Sequence, residues 1–102
     1  MNRTITLAEL RDIIKDGKDV VILDVRRQSD FDMDKEMIPG AIRWVPEQVA
    51  EWSQDLPHDK EIVIYCIRGG SVSNAVLDTL LEKNLKARYI EGGFAAWKES
   101  KV

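Results

Sequence analysis

The chain is short of the residues that most often carry chemistry or staple a small fold. Its 102 residues include one cysteine and one histidine. A single cysteine excludes an internal disulfide and any cysteine-rich zinc site, and it fits a reducing compartment. There is no basic excess either. Fifteen Lys and Arg stand against 18 Asp and Glu, for a net charge of -3. That balance argues against general nucleic-acid binding, which needs a positive face. No apolar run nears the ~20 residues of a membrane span. The opening Met1-Asn2-Arg3-Thr4-Ile5-Thr6 is too polar for the apolar region of a secretory signal, so the expected location is the cytoplasm. Low-complexity stretches, linkers and internal repeats are also missing. With 44% hydrophobic residues, a single domain over residues 1–102 is expected. A chain of this size buries roughly two-thirds of its unfolded surface and needs no staple.

What is present alternates between two periodicities. Thr6 reads as a helix N-cap with Glu9 completing a capping box, and Leu7, Leu10, Ile13 and Ile14 follow at helical spacing up to Gly17. Val20-Val21-Ile22-Leu23 is a β-branched run of the kind buried on both faces of a parallel sheet. Arg26 to Glu36 is polar and reads as irregular, and Ile38-Pro39-Gly40 is a turn signal. Ala41 to Val45 is a short strand, and Pro46 opens a helical segment with Val49 and Trp52 inward. Glu61 to Cys66 is the strongest strand. After Gly69-Gly70 a helix carries Ala75, Val76, Leu77, Leu80 and Leu81 and ends at Asn84. Ala87 to Ile90 is another strand, and Gly92-Gly93 leads into a last short helix through Phe94 and Trp97. Strands alternating with helices predict an α/β fold, a parallel sheet with helices on both faces.

The chemistry concentrates at Cys66-Ile67-Arg68-Gly69-Gly70-Ser71-Val72. Cys66 ends a strand, and ligands of open α/β sheets bind at carboxyl strand ends. A loop around Cys66 can turn several backbone N–H groups toward the sulfur, and the following helix adds the positive end of its dipole. Both favour a thiolate, the nucleophilic form. Arg68 adds a permanent charge, and Gly69 and Gly70 let the backbone approach an anion closely. Ser71 and Ser73 are candidate helix caps and donors to a bound sulfur species. Taken alone, a cysteine at a strand end is usually a small buried hydrophobe, and glycine loops of this kind also cradle phosphates. No Gly-Lys-Ser/Thr follows, so this is not a Walker loop.

In order along the chain, Leu23-Asp24-Val25-Arg26 with Asp30-Phe31, then Ile38-Pro39-Gly40-Ala41-Ile42, then Tyr65-Cys66 with its glycine loop, then Gly92-Gly93-Phe94 and Trp97 resemble the rhodanese, or sulfurtransferase, domain family. The resemblance covers nearly the whole chain. It implies a rhodanese-like three-layer fold with a five-stranded parallel sheet, and transfer of sulfane sulfur through a persulfide on Cys66. Thiosulfate is the implied donor, and cyanide or a thiol the acceptor. It also implies that the amides of Ile67 to Ser71 surround that sulfur. Three departures stand out. Ser71 occupies a position where many members have arginine, leaving Arg68 as the candidate cation. Met37 stands where a histidine is usual, and Phe31 to Met37 is about two residues longer than is common. Related phosphatases place an arginine six residues after the cysteine, and here that residue is Val72.

Asp24 and Arg26 are expected to tie neighbouring loops together rather than to react. His58 lies in a loop remote from the motif. Trp44, Trp52, Trp97 and Tyr65 read as packing residues, and Arg27, Lys35 and Arg43 as solvated charges or residues near the entrance. No metal or organic cofactor is expected, no nucleic-acid or membrane partner, and a monomer. The expected partners are a small-molecule sulfur donor and acceptor, or a protein that supplies or takes the sulfur. The alternatives to an enzyme are a persulfide relay module and a non-catalytic interaction domain.

Overall fold

The two most apolar runs, Val20–Asp24 (β2) and Glu61–Tyr65 (β4), lie side by side at the centre of a five-stranded sheet in the computed structural model, which describes residues 2–100. Thr4–Ile5 (β1), Ala41–Arg43 (β3) and Lys86–Ile90 (β5) complete it in the order β1-β5-β4-β2-β3, with every pairing parallel. The register sets Ile22 beside Val63 and Asp24 beside Tyr65. A parallel sheet must be covered on both faces. One face packs Leu23, Ile62, Ile64 and Ala87 against Trp52 of α3 (Val49–Trp52) and Val76, Leu77 and Leu80 of α4 (Ser71–Glu82). The other packs Ile5, Ile22, Val63, Tyr65 and Ile90 against Leu10 of α1 (Leu7–Lys15) and Phe94 of α5 (Gly93–Ser100). Strand alternation explains the split: Ile62 and Ile64 point one way, Val63 and Tyr65 the other.

The helix ends follow from local chemistry. Thr6 accepts from the Glu9 amide while Glu9 accepts from the Thr6 amide, so both arms of the capping box form. At the far end the Lys18 amide reaches the Ile13 carbonyl and the Gly17 amide the Ile14 carbonyl. This is a Schellman motif with Gly17 at φ +74. α4 ends alike, with Asn84 at φ +61. Pro39-Gly40 forms a turn closed by the Ala41 amide on the Ile38 carbonyl, with Gly40 at φ +86.

Three readings of the sequence are corrected, and one strand went unread. The segment taken as irregular contains a helix, α2 (Gln28–Met33), which has no buried residue and hence no amphipathic signal. The two-residue β1 is too short for a period-2 pattern. Ile14 and Ala75 fit helical spacing but are exposed, because each lies at the margin of its apolar stripe. The Pro46 segment is only one α turn between two 3₁₀ turns, Pro46–Gln48 and Ser53–Asp55.

Leu77 is fully buried between sheet and α4. Leu77→Ala should cost about 2–5 kcal/mol in denaturant unfolding, and Thr6→Ala about 1 kcal/mol. Equal effects for the two would show that the core does not carry the load assigned to it.

Candidate active site

Strand order locates the crevice. From β2 the chain moves outward to β3, and from β4 it moves the opposite way to β5, so the connections diverge between β2 and β4. Ligands of open α/β sheets bind outside the carboxyl ends of strands at such a point. Two segments emerge there: Val25-Arg26-Arg27 after β2, and Cys66 to Gly70 after β4.

Cys66 is a free thiol, buried to 4% exposure, one residue past the end of β4. The loop from Ile67 to Gly70 separates it from α4. The amides of Ile67, Arg68, Gly69 and Gly70 donate to no other group of the described chain, and Cys66 Sγ is no exception. The first amides of α4, from Ser71 to Ser73, have no partner within the helix. The cap residue is Gly70, with no side-chain cap bond. The expectation that Ser71 or Ser73 caps the helix is therefore corrected: both lie inside the first turn. Ser71 is exposed, whereas Ser73 is fully buried with a hydroxyl that has no partner among the described residues. Arg68 is exposed, and its guanidinium has no partner among the described residues. Val72 is half-buried against the core.

The loop is held from outside. The Phe94 amide donates to the Cys66 carbonyl at 2.8 Å and the Ala95 amide to the Ile67 carbonyl at 2.9 Å. This close approach explains Gly92-Gly93. Gly93 sits at φ +57, and a Cβ there would lie 2.5 Å from the Cys66 carbonyl oxygen and 2.8 Å from the Gly69 nitrogen. At Gly69, φ +70, an added Cβ would lie 3.0 Å from the Ile90 carbonyl oxygen.

Beside the loop lies a buried polar cluster. Asp24 and Arg26 are both fully buried. Arg26 Nε donates to both Asp24 carboxylate oxygens and Nη2 donates to Oδ2 at 2.7 Å. Nη1 and Nη2 also donate to the carbonyls of Asp34 and Glu36, at 2.8 and 2.9 Å. The guanidinium lies 4.0 Å from the Phe94 ring centroid and 5.1 Å from that of Phe31. Tyr65 donates its hydroxyl proton to Asp24 Oδ2 at 2.9 Å and accepts from the Ile38 amide at 3.2 Å. Burial, reinforced by the Asp24 charge, pushes the Tyr65 phenol well above its ordinary range. Lys98 on α5 pairs with Asp34 and Glu36 from the outer side. Its hydrogen bond holds the Asp34 carboxyl below the usual carboxylate range.

Two members of this cluster were not legible as such. Tyr65 read as a packing residue, and only the fold shows its hydroxyl between two loops. Arg43 read as a solvated charge. It donates to the carbonyls of Asp24 and Trp44 and lies 3.8 Å from the Asp24 carboxylate. Its one sequence signal is its place at the end of a strand beside Asp24. His58 precedes β4 and so lies at the opposite end of the sheet. Trp52 is buried, and partly exposed Trp44 packs beside it with ring centroids 5.8 Å apart and planes tilted by 32°. A groove of about 430 Å³ opens from the crevice between α3 and α4, with Arg27, Glu47, Val49, Ser71, Val72 and Ala75 in its walls. Cys66 is not among those walls.

Comparison with known proteins agrees with this geometry. A family model described as Rhodanese-like domain matches residues 6–100. The chain is 32% identical over 99 residues to a thiosulfate sulfurtransferase, GlpE, of Coxiella burnetii, covering 96% of this chain and 89% of that one. It is 34% identical over 80 residues to a tRNA sulfurtransferase of Desulfurococcus amylolyticus, covering 78% of this chain but 15% of the larger protein. The crystal structure of a rhodanese-related protein from Thermoplasma volcanium matches with a TM-score of 0.80 at 28% identity, over 96% of this chain and 92% of that one.

Two outcomes follow from the cluster and the loop. A raised Tyr65 pKa means that its contribution to stability is complete below the unfolded value of about 10 and is lost as pH rises through the folded value. Tyr65→Phe leaves the Ile38 amide unpaired and should cost about 1–3 kcal/mol at neutral pH. Denaturant unfolding from pH ~8 to ~11 should show that gap narrowing above pH ~10. A constant gap means that Tyr65 titrates alike in both states. Gly93→Ala should lower the melting temperature and alter the alkylation rate of Cys66 below it. An unchanged rate means that the loop does not rest on Gly93.

Proposed function

The chain belongs to the rhodanese-like domain family, and from that premise we propose that it is a sulfurtransferase which carries sulfane sulfur as a persulfide on Cys66, with thiosulfate as donor and cyanide or a thiol as acceptor. The observation that carries this reading is the loop from Ile67 to Gly70, whose amides leave their donors unused by the chain. Unpaired backbone donors near a buried atom are costly unless a ligand or water takes them. Open amide donors in the loop that follows Cys66 suit an anionic group, which is what a bound donor or a persulfide presents.

The chemistry balances in two steps. The Cys66 thiolate attacks the outer sulfur of thiosulfate, an S–S bond forms, the S–S bond of thiosulfate breaks, and sulfite leaves with the electron pair. The acceptor nucleophile then attacks the outer sulfur of the persulfide, and Cys66 departs as thiolate. The amides of Ile67 to Ser71 and the positive end of α4 stabilise negative charge on donor and persulfide, and exposed Arg68 draws the anion in. Gly69, at φ +70, permits the close backbone, whereas a Cβ on Gly70 would meet nothing within 4 Å, and Val72 packs against the core at the start of α4. Asp24 and Arg26 act at one remove: Arg26 stacks on Phe94, whose amide holds the Cys66 carbonyl. A reducing, cytoplasmic setting and a monomer in one domain belong to this reading. So does the absence of a metal or organic cofactor, since neither step needs one. Val72 offers no guanidinium to a phosphoryl group, which disfavours a phosphatase.

A second reading has one observation in its favour. Cys66 is only 4% exposed, which suits receipt of sulfur from a protein that seals the crevice. In this relay, free thiosulfate is a poor donor.

Wild-type protein should produce thiocyanate from thiosulfate and cyanide, and Cys66→Ser should lose it completely while keeping its melting temperature. Turnover surviving in the variant rejects the persulfide. Wild-type inactivity with a readily alkylated Cys66 selects the relay.

A further inference from the structure

Three buried side-chain atoms have no hydrogen-bond partner among the described residues: Arg43 Nη2, Ser53 Oγ and Ser73 Oγ. Arg43 is held by its other terminal nitrogen, which donates to two carbonyls, and by the Phe31 ring beneath its guanidinium. Ser53 sits in the 3₁₀ turn that follows α3. Ser73 is different, because it lies in the helix that the cysteine loop opens into and its side chain is fully buried. A serine inside a helix often turns its hydroxyl to the carbonyl four residues back. In the same helix the Thr79 hydroxyl donates to the Ala75 carbonyl, and the Asn74 amide group to the Gly70 carbonyl. Ser73 makes no such bond to Gly69.

Periodicity places this hydroxyl. α4 starts at the carboxyl end of β4 and leads back to the amino end of β5. Its inward face carries Val76, Leu77 and Leu80. Ser73 precedes Val76 by three residues and Leu77 by four, so it belongs to the same face, nearest the carboxyl end of the sheet. From the sheet, Ile62 and Ile64 point to this helix, and Cys66 continues their alternation. Val25 shows the alternation persisting one residue past a strand end, since it joins Leu23 in the same cluster. Ser73 and Cys66 lie about 6 Å beyond Leu77 and Ile64, in the same direction. The hydroxyl and the thiol thus share the carboxyl end of one interface, that between α4 and the sheet, yet they make no hydrogen bond with each other.

We propose that the Ser73 hydroxyl is held for the outer sulfur of the persulfide. It has no partner in the resting protein, and once Cys66 is loaded it donates to that sulfur, which stands one S–S bond, about 2.05 Å, beyond Sγ. The inference rests on the sulfurtransferase reading and adds to it a residue that tells loaded from unloaded cysteine. The covalent step is unchanged. The Cys66 thiolate attacks the outer sulfur of thiosulfate, sulfite leaves with the electron pair of the broken S–S bond, and Ser73 keeps its proton throughout. What changes is the balance between the two forms. A hydrogen bond to a charged group that forms only after loading favours the persulfide by roughly tenfold or more.

Loading is read by mass, as a gain of one sulfur atom, while the ratio of thiosulfate to sulfite is varied. Ser73→Ala should need a ratio about tenfold higher than wild type to reach half-loading. Its unloaded form should melt at or above the wild-type temperature, since the substitution removes an unpaired donor and adds a good helix former. The pH profile of Cys66 alkylation should stay where it is, because the hydroxyl does not bond Sγ. Loading should raise the melting temperature of the wild type, and raise that of the variant less. A serine that only packs would shift both forms alike and leave the half-loading ratio within about twofold, which overturns the proposal. An alkylation profile that moves with the ratio also overturns it, because the hydroxyl then serves the thiolate. Should the variant fold poorly, the wild type still decides: no rise in melting temperature on loading means that the hydroxyl gained no partner. Failure of the wild type to load at any ratio overturns the sulfurtransferase reading itself, and the role of Ser73 falls with it.

Discussion

Asp24 and Arg26 hold two opposite charges in a place that water does not reach, and the surrounding loops take their positions from that fact. Burying an ion pair is expensive, and the cost is offset only when geometry is good and the remaining donors are satisfied. Here Arg26 grips the carboxylate through Nε and Nη2, and what is left of its fork goes to the carbonyls of Asp34 and Glu36. The carboxylate in turn takes the Tyr65 hydroxyl. Removing any one member strands a charge or a polar group in the interior. The pair is thus a weak source of net stability, and its hydrogen bonds tie the ends of β2 and β4 to the segment from Asp34 to Ile38.

Through Phe94 the same pair reaches the cysteine. The ring that lies under the Arg26 guanidinium belongs to the residue whose amide holds the Cys66 carbonyl. Gly93 brings that backbone close enough for the bond to form. A reactive loop built from glycines has little stiffness of its own. It gains stiffness from three segments distant in sequence that meet at the carboxyl end of the sheet. The donors it leaves open are then held at fixed positions, as preorganised amides that stabilise charge must be.

Much of this was legible in the sequence, for reasons that differ by element. α1 announced itself through Thr6, Glu9 and Gly17, because capping chemistry is local. The two central strands were legible because strands buried on both faces read as unbroken apolar runs. The ordered motifs around Asp24, Pro39, Cys66 and Gly92 pointed to the family before any geometry was known. What stayed hidden depends on contacts between distant residues. α2 is held by Phe31 beneath two guanidinium groups rather than by an apolar stripe, so no periodicity revealed it. Tyr65 and Arg43 looked like a core aromatic and a surface charge until the strand ends came together. The need for glycine at position 93 is set by a carbonyl 27 residues earlier in the chain.

The Phe94 clasp also has a temporal side. During synthesis Cys66 emerges well before Gly93, Phe94 and Lys98, and β5, which flanks β4, also comes later. At ~5–20 residues per second the delay is on the order of seconds. For that interval the thiol sits on a nascent chain without its carbonyl anchor, its glycine contact or the neighbouring strand. The geometry of the cysteine loop is therefore completed late, when the helix that carries Phe94 docks. A chain cut short before that helix would carry the same cysteine in a loop with neither the carbonyl of Cys66 nor that of Ile67 anchored.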